Sequence, residues 1–338
     1  MNEFDYLKKL RERVRAGEST AGLVRGIGDD AAVFTSPPDR NVVISADLLL
    51  EDVDFRLDTT RPDLLGHKAL SVSLSDIAAM GARPRWSLLS IAVTEPVWQS
   101  DFLDQFYEGY LQLADRLGVK LIGGDLSRTD AKIAVDSVVL GESKNGHEIL
   151  RSGARPGDQI YVTGFLGDAA AGLRLLERGA RIHKNSTGHR EANSVDHLLL
   201  RQLQPEPRVG WGILLGEQQL ATAMIDISDG LSSDLNHMCD ESGVGAVVEA
   251  SRLPIDSVVR EICGRRALDP LMLALHGGED YELLFTVAPE NVSRLPKRVD
   301  GVSVTRIGEI KEAAEGVRIS EGAKVWKLEP GGWEHFTE

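Results

Sequence analysis

Strand-like and helical patterns alternate along this chain, and a turn-rich segment separates them into two groups. That segment reads Arg-Ser-Gly-Ala-Arg-Pro-Gly-Asp at residues 151–158 and consists mainly of residues that favour turns. The chain has 338 residues, which is more than one hydrophobic core usually supports. The alternation therefore predicts two domains of α/β (α+β mixed) class, at residues 1–148 and 149–338.

The spacing of apolar residues predicts the individual elements. Strands are expected at residues 41–46, 86–93, 119–122, 132–140, 159–163, 245–249, 282–287 and 303–309, with one more ending near Ile227. Helices are expected at residues 3–16, 64–80, 97–117, 167–178, 208–217 and 231–241. Residues 181–195 are polar and aperiodic, so we expect a mobile surface segment there.

The composition argues against several classes of function. A net charge of −14 argues against nucleic acid as a partner, because phosphate binding needs clustered Lys and Arg. The two cysteines, Cys239 and Cys263, are too few for a disulfide framework and are not spaced as zinc ligands. No apolar run is long enough to span a bilayer, and residues 1–15 lack a signal-peptide core. We therefore expect a cytoplasmic protein without a membrane partner.

Acidic residues beside glycines recur in both halves, mostly where a predicted strand ends. The motifs are Gly26-Ile27-Gly28-Asp29-Asp30, Gly123-Gly124-Asp125, Asp226-Ile227-Ser228-Asp229-Gly230 and Gly277-Gly278-Glu279-Asp280-Tyr281-Glu282, and Asp47 follows the predicted strand 41–46. Each alone is also compatible with a turn or a helix cap, and Ser228 or Asp229 could cap the helix that follows. Glycine lets a backbone approach a ligand closely, and carboxylates are hard oxygen ligands. Together the motifs indicate sites for hard divalent cations.

Asp76 falls on the apolar side of the predicted helix 64–80. A carboxylate on a buried face costs several kcal/mol unless it is paired or binds a metal. Lys68, two turns earlier on the same side, is a possible salt-bridge partner. The alternative is a metal ligand or another site residue, since buried charges concentrate at functional sites.

An acidic chain that binds phosphates needs cations, because carboxylates and phosphates repel each other. Mg²⁺ relieves this repulsion by bridging oxygens of both. The sequence has no Gly-Lys-Ser/Thr phosphate loop, no His-Arg-Asp loop and no dinucleotide fingerprint. The dispersed aspartates therefore indicate several bound Mg²⁺ ions rather than one of these familiar nucleotide-binding motifs.

The motifs, taken in order, resemble the thiamine-monophosphate kinase family, in the superfamily of aminoimidazole ribonucleotide synthetase. The resemblance is carried by Gly26–Asp30, Lys68-Ala69-Leu70, Ser75–Ala82, Ile122–Asp125, Arg151–Ala154, Asp226–Leu231 and Gly277–Leu283. It implies ATP-dependent phosphorylation of thiamine monophosphate to thiamine diphosphate. It also implies a homodimer in which the N-terminal sheets pair, and a C-terminal three-layer α/β domain.

The resemblance also implies roles for individual residues. The family's magnesium positions match Asp30, Ser45, Ala46 (through its carbonyl oxygen), Asp47, Asp76, Asp125, Asp226 and Asp229. The nucleotide-contacting positions match Gly124, Asp125, Arg151 and Ser228. The acceptor-contacting positions match Glu279 and Trp333. No residue is expected to act as a chemical catalyst, because an ionised phosphate acceptor needs no strong general base.

One segment departs from the family. Where the family usually reads Glu-Gly-Val-His-Phe, this chain has Glu51-Asp52-Val53-Asp54-Phe55. Either Asp54 takes over the histidine's contact with the aminopyrimidine of the substrate, or the substrate differs. Ala46 also replaces a threonine, which has no effect if only the backbone oxygen binds metal.

Two other functions stay open at this point. One is a superfamily member with a different phosphoryl acceptor, although no reactive cysteine precedes the first glycine motif, as selenophosphate synthetase would require. The other is a non-catalytic, metal-stabilised dimeric binding protein. The complete set of aspartates argues against the second.

Overall fold

The computed structural model describes residues 9, 12, 22–25, 33–182, 194–266 and 268–332 and divides the chain into two units. One unit comprises Met1–Ile77 and Ala82–Gly146, and the other comprises Ala78–Gly81 and His147–Glu338. Both combine helices with mainly antiparallel sheets, which confirms the mixed class expected from the sequence. The division expected at residues 148 and 149 stays a prediction about domain organisation.

The first half of the chain forms a four-stranded sheet and a separate two-stranded sheet. The strands are β1 (Leu23–Arg25), β2 (Val33–Phe34), β3 (Arg40–Leu50), β4 (Arg83–Val93), β5 (Lys120–Arg128) and β6 (Ala134–Lys144). The helices are α1 (Pro62–Ala79), α2 (Glu95–Trp98) and α3 (Phe102–Leu117). The larger sheet has the order β3-β6-β4-β5, and only its β4–β5 pair is parallel.

The second half forms one large sheet with the path β14-β13-β9-β12-β7-β10-β8, and β11 pairs with β12. Its strands are β7 (Gln159–Thr163), β8 (Ala221–Asp226), β9 (Gly245–Glu249), β10 (Leu283–Val287), β11 (Arg298–Val299), β12 (Val302–Lys311), β13 (Val317–Glu321) and β14 (Lys324–Lys327). Its helices are α4 (Asp168–Glu177), α5 (Ser194–Leu203), α6 (Val209–Glu217), α7 (Leu231–Ser242), α8 (Ser257–Arg266) and α9 (Pro270–His276). None of the helices described in either half is long and apolar enough to cross a membrane.

Two glycines let α1 and α3 pack with their backbones in contact. A Cβ atom added to Gly66 would overlap with the carbonyl oxygen of Phe106, and one added to Gly109 would overlap with that of Asp63. Helix α1 also lies on the sheet, since the Ser73 hydroxyl donates a hydrogen bond to the Ser137 carbonyl oxygen at 2.8 Å. This packing fixes the position of α1 against β6.

Strands β3 and β5 extend beyond their predicted ends, so Asp47 and Asp125 lie inside strands. The expectation that these aspartates follow strand ends was therefore wrong. All eleven residues of β3 pair with β6, and β5 continues past its two glycines because it pairs with β4. Ladder hydrogen bonds outweigh the local preference of aspartate and glycine for turns.

Other elements differ because local hydrogen bonds decide them. The predicted helix 97–117 is interrupted, since the Ser100 hydroxyl donates to the Val97 carbonyl at 2.7 Å and accepts from the Phe102 N–H at 3.2 Å. Helices α5, α8 and α9 and strands β1, β2, β11, β13 and β14 were not predicted, and α5 begins at Ser194, inside the segment 181–195 that was expected to be mobile. The predicted helix 3–16 is described only at residues 9 and 12, which are helical, and residues 183–193 lie outside the described part.

We predict that Gly66→Ala destabilises the protein, whereas Gly264→Ala does not. The methyl group at position 66 must push the two helix backbones apart, which costs about 1–3 kcal/mol or more. Gly264 lies on helix α8 with nothing within 4 Å of an added Cβ atom, so alanine there is expected to stabilise by about 0.5–1 kcal/mol. Thermal melts of the two variants check this. Equal melting temperatures for both would contradict the close helix contact.

Candidate functional site

Two carboxylates of the first unit lie together where strand β3 faces helix α1. Ser45 and Asp47 are two residues apart and therefore project from the same face of β3. The Ser45 hydroxyl donates a hydrogen bond to Asp76 Oδ2, and Asp47 lies close enough to Asp76 for the two carboxyl groups to interact directly. Within the described part of the chain, the buried Asp47 Oδ2 has no hydrogen-bond partner.

The electrostatics of this cluster make a full set of negative charges unfavourable. Burial and, after it, the neighbouring carboxylates of Asp76 and Asp136 together raise the pKa of Asp47 to about 6. A hydrogen bond involving Ser73 acts in the opposite direction. A carboxylate held in this way gains stability from a proton or a cation. Asp136, on β6, had not been singled out from the sequence.

The other predicted residues of β3 and β5 are arranged differently. The Ala46 side chain is exposed, as expected for a residue between two inward-facing ones. Asp125 is also exposed and accepts a hydrogen bond from the Ser127 hydroxyl at 2.9 Å. In the sheet register Asp47 shares a row with Gly124, whereas Asp125 belongs to the adjacent row. The contacts described here do not join Asp125 to Asp47.

Gly124 is required by a close backbone approach. Its φ is 149°, and an added Cβ atom would overlap with the Leu89 carbonyl oxygen on β4. The sequence analysis predicted that this glycine lets the backbone approach a ligand closely. The structure adds a packing reason, because any side chain there would separate β5 from β4.

In the second unit, the Asp226–Gly230 motif begins at the end of β8, as the sequence predicted. Asp226 is the last residue of that strand and is buried, while Ser228 and Asp229 are half-buried. The Glu279 N–H donates to the Ser228 carbonyl at 2.7 Å, and the Tyr281 N–H donates to the Ile227 carbonyl at 2.9 Å. Two motifs that are distant in sequence therefore form one pair of joined loops.

Asp234 belongs to the same loop region but was missed by the sequence analysis. It is 2% exposed, and its carboxylate accepts a hydrogen bond from the Gly230 N–H at 3.1 Å. Burial raises the pKa of Asp234 to about 8, with further contributions from Asp226 and Asp229. The available signal was its place in the first turn of α7, where an acidic side chain stabilises the helix start.

Glu279 has a strained backbone. Its φ is 64°, and Tyr281 has a φ of 48°, so both occupy the left-handed region that bulky side chains rarely adopt. The Glu279 carboxylate accepts a hydrogen bond from the Gln202 side chain of α5. Strain of this kind concentrates at functional sites. This agrees with the prediction from the sequence that residues 277–282 form part of a ligand site.

The remaining predicted residues give less information. The Arg151 side chain is exposed, while its carbonyl oxygen accepts a hydrogen bond from the Ser242 hydroxyl at 3.1 Å. Asp30 and Trp333 lie outside the described residues.

Comparison with known proteins decides the family. Residues 28–143 match the N-terminal domain of AIR synthase related proteins, and residues 155–320 match the C-terminal domain. The thiamine-monophosphate kinase of Salmonella typhimurium is 38% identical over 342 residues, covering 99% of this chain and 98% of that protein. The chain belongs to the thiamine-monophosphate kinase family.

Solved structures of the family share the fold. The thiamine-monophosphate kinase from Stenotrophomonas maltophilia K279a aligns with a TM-score of 0.82 and 38% identity, covering 92% of this chain and 95% of that one. The structure of AaThiL complexed with AMPPCP and TMP aligns with a TM-score of 0.76 and 29% identity, covering 99% of this chain and 97% of that one. The resemblance inferred from the motifs and the two-domain family fold are thereby confirmed.

Residues 51–55 form a tight turn after β3. Asp52 has a φ of 69°, in the left-handed region that favours glycine. The family resemblance implies glycine at this position, and aspartate tolerates the conformation better than most residues do. Lys132 pairs with Asp52 at 2.6 Å. Asp54 Oδ2 accepts a hydrogen bond from the Leu50 N–H at 2.8 Å, so its carboxylate helps to close the turn.

We predict that Asp47→Asn stabilises the metal-free protein in a pH-dependent way. Because the pKa of Asp47 is raised from 3.8 to about 6, the folded protein loses stability as pH rises through that window. The amide removes this loss, so the melting temperature should exceed that of the wild type by about 4 °C at neutral pH and match it near pH 4. Melts in the presence of a chelator measure the difference.

The exposed Asp115 on α3 provides the control. Asp115→Asn should leave the melting temperature unchanged at both pH values. An Asp47→Asn variant that is no more stable than the wild type at neutral pH would contradict the account of carboxylate crowding.

Proposed function

We propose that this protein transfers the terminal phosphoryl group of ATP to thiamine monophosphate and forms ADP and thiamine diphosphate. The observation that carries this proposal is the similarity to thiamine-monophosphate kinases over nearly the full length of both chains. A solved structure of the family member AaThiL is complexed with AMPPCP and TMP, which we interpret as a nucleotide and an acceptor together.

Magnesium fits the carboxylate cluster of the first unit. The cluster offers a hydroxyl from Ser45 and carboxylates from Asp47 and Asp76, which are the hard oxygen ligands that Mg²⁺ prefers. The unpartnered, buried Asp47 Oδ2 supports this assignment, because a cation would supply the missing interaction. When bound, Mg²⁺ supplies charge neutralisation for the phosphates. The other residues that we assign to cations are the Ala46 carbonyl, Asp125, Asp226 and Asp229, together with Asp30.

The chain's own residues position these groups and the two substrates. The hydrogen bond from Ser45 orients Asp76, and helix α1 is held on the sheet by the Ser73 hydrogen bond. We assign Gly124, Asp125, Arg151 and Ser228 to the nucleotide, and Asp54, Glu279 and Trp333 to the acceptor. In the reaction an oxygen of the acceptor phosphate attacks the terminal phosphorus of ATP in line, and the bond to the ADP oxygen breaks. The acceptor is already ionised, so no side chain has to remove a proton.

A homodimer is part of the proposal. The outward face of β3 carries four exposed apolar side chains, at Val42, Ile44, Leu48 and Leu50, and Ile44 and Leu48 are 63% and 56% exposed. An apolar row of this kind on a sheet is typical of an interface. It supports the pairing of N-terminal sheets that the family resemblance implies.

A second candidate is the same phosphoryl transfer to a different acceptor. The observation in its favour is Asp54, which replaces the family's histidine and has one carboxylate oxygen engaged in closing its own turn. The two candidates differ only in the acceptor that the enzyme uses.

We predict that the protein converts thiamine monophosphate into thiamine diphosphate when ATP and Mg²⁺ are present, and that Asp76→Asn lowers kcat by at least about a hundredfold. The amide keeps the shape of the side chain but removes charge that holds the cation. Chromatographic separation of the thiamine phosphates measures the product, and Asp115→Asn is the matched control on another helix.

Two results would contradict this proposal in different ways. ATP turnover that leaves thiamine monophosphate unchanged would favour another acceptor. Near-normal activity of Asp76→Asn at saturating Mg²⁺ would remove Asp76 from the cation site.

We predict that Glu279→Gln raises the KM for thiamine monophosphate by about tenfold and leaves the KM for ATP within about twofold. The thiazolium ring of thiamine is cationic, and loss of one nearby carboxylate charge weakens binding by about 1.4 kcal/mol, which is a tenfold change in affinity. Steady-state kinetics with each substrate varied in turn provide the measurement. Glu290→Gln, at an exposed position, is the control. An effect on ATP alone would show that Glu279 does not contact the acceptor.

A further inference from the structure

Three potential metal ligands of the second unit, none of which is assigned to the kinase reaction, converge in the fold. Asp168 is the first residue of α4, His197 lies on α5, and Asp256 immediately precedes α8. One ligand atom from each of them lies within 4.8 Å of the others. The three elements are distant in sequence, so the fold alone brings these side chains together.

The spacing of these atoms suits a shared cation better than direct hydrogen bonds. His197 Nε2 and Asp168 Oδ2 are 3.7 Å apart, which is too long for a hydrogen bond. Two ligands that bind a four-coordinate ion at about 2.0–2.1 Å lie about 3.4 Å from each other. A small inward movement of the side chains would therefore complete the coordination.

Asp168 provides a second, independent observation. It is 1% exposed, and neither of its carboxylate oxygens has a hydrogen-bond partner among the described residues. A buried carboxylate without hydrogen bonds is costly, and a bound cation removes that cost. His197 is more accessible, with 28% of its side chain exposed, which leaves a route for an ion from solvent.

Arg201 competes with a cation for Asp168 but is mainly engaged elsewhere. Its Nε lies 3.7 Å from Asp168 Oδ2 and makes no hydrogen bond in the described part of the chain. Its Nη2 donates to the buried Glu282 carboxylate at 2.7 Å, and Arg208 donates to the same carboxylate. Burial would raise the pKa of Glu282, but the two arginines outweigh it and hold the pKa below its usual range. Arg201 therefore contributes charge near Asp168 but no hydrogen bond to its carboxylate.

We propose that Asp168, His197 and Asp256 form a binding site for a divalent transition-metal cation such as Zn²⁺. One imidazole nitrogen and two carboxylate oxygens are a ligand set that zinc accepts, with water as the fourth ligand. The nitrogen ligand also separates this site from the oxygen-only cluster at Asp47, since imidazole favours Zn²⁺ or Co²⁺ over Mg²⁺. The ion ties helices α4, α5 and α8 together and stabilises the second unit.

Asp256 is already placed for this role. Its Oδ1 accepts hydrogen bonds from the Val258 N–H at 2.8 Å and the Ser257 hydroxyl at 3.3 Å, which fix the carboxylate at the start of α8. Such outer contacts orient a metal ligand. Asp256→Asn preserves the acceptor at this position and removes the charge, so it tests the ligand without removing the cap.

The test is Co²⁺ and Zn²⁺ binding by the full-length protein in excess Mg²⁺, which occupies sites made of oxygen ligands alone. We expect the wild type to give the visible absorption of Co²⁺ bound through nitrogen and to melt at a higher temperature when Zn²⁺ is added. His197→Gln and Asp256→Asn should each weaken Zn²⁺ affinity by at least about a hundredfold. His237→Gln, at an exposed position on α7, should bind as the wild type does.

The outcomes separate this proposal from the proposed kinase activity. A wild type that shows neither the Co²⁺ absorption nor the Zn²⁺ stabilisation overturns the site. Binding that is unchanged in His197→Gln places the ion elsewhere and overturns it as well. Both readouts measure metal binding, and neither depends on turnover of thiamine phosphates with Mg²⁺. The test therefore stays valid even if the proposed kinase activity is wrong.

Discussion

The crowding of carboxylates at Asp47 and Asp76 is the interaction on which the proposed chemistry depends. Strand β3 and helix α1 hold the two acids together in a partly buried place, where burial and, after it, the repulsion of Asp76 raise the pKa of Asp47. The arrangement is unfavourable as long as both carboxyl groups are charged and no cation lies between them. The proposed role of Mg²⁺ follows directly, because a divalent ion turns the repulsion into a bridge to phosphate.

Packing that involves no charge keeps this arrangement in place. Gly66 and Gly109 let α1 approach α3 at backbone distance, and the full-length pairing of β3 with β6 fixes where Asp47 points. The favourable free energy of this packing therefore offsets the unfavourable free energy of placing the two carboxylates together. A change that moves α1 would also be expected to separate the two carboxylates.

The sequence predicted the type of most elements, because apolar periodicity reports directly on burial. It also placed Asp76 on the apolar side of its helix, where the structure leaves the residue half-buried. It placed Asp47 wrongly at a strand end, since local preference cannot reveal a pairing with β6 that is distant along the chain. Three further features could not be predicted from the sequence. They are the strain at Glu279, the role of Asp54 in its turn and the convergence of His197 with Asp168. Each of them arises from contacts between segments far apart in sequence or from backbone geometry.

The most direct test of the account is a crystal structure of the protein with Mn²⁺ in place of Mg²⁺, examined by anomalous scattering. Mn²⁺ accepts the same oxygen ligands and reveals its own position. The account predicts an anomalous peak at coordination distance from both Asp47 Oδ2 and the Asp76 carboxylate. A map with no peak there, from crystals in which Mn²⁺ is bound at other sites, would contradict it.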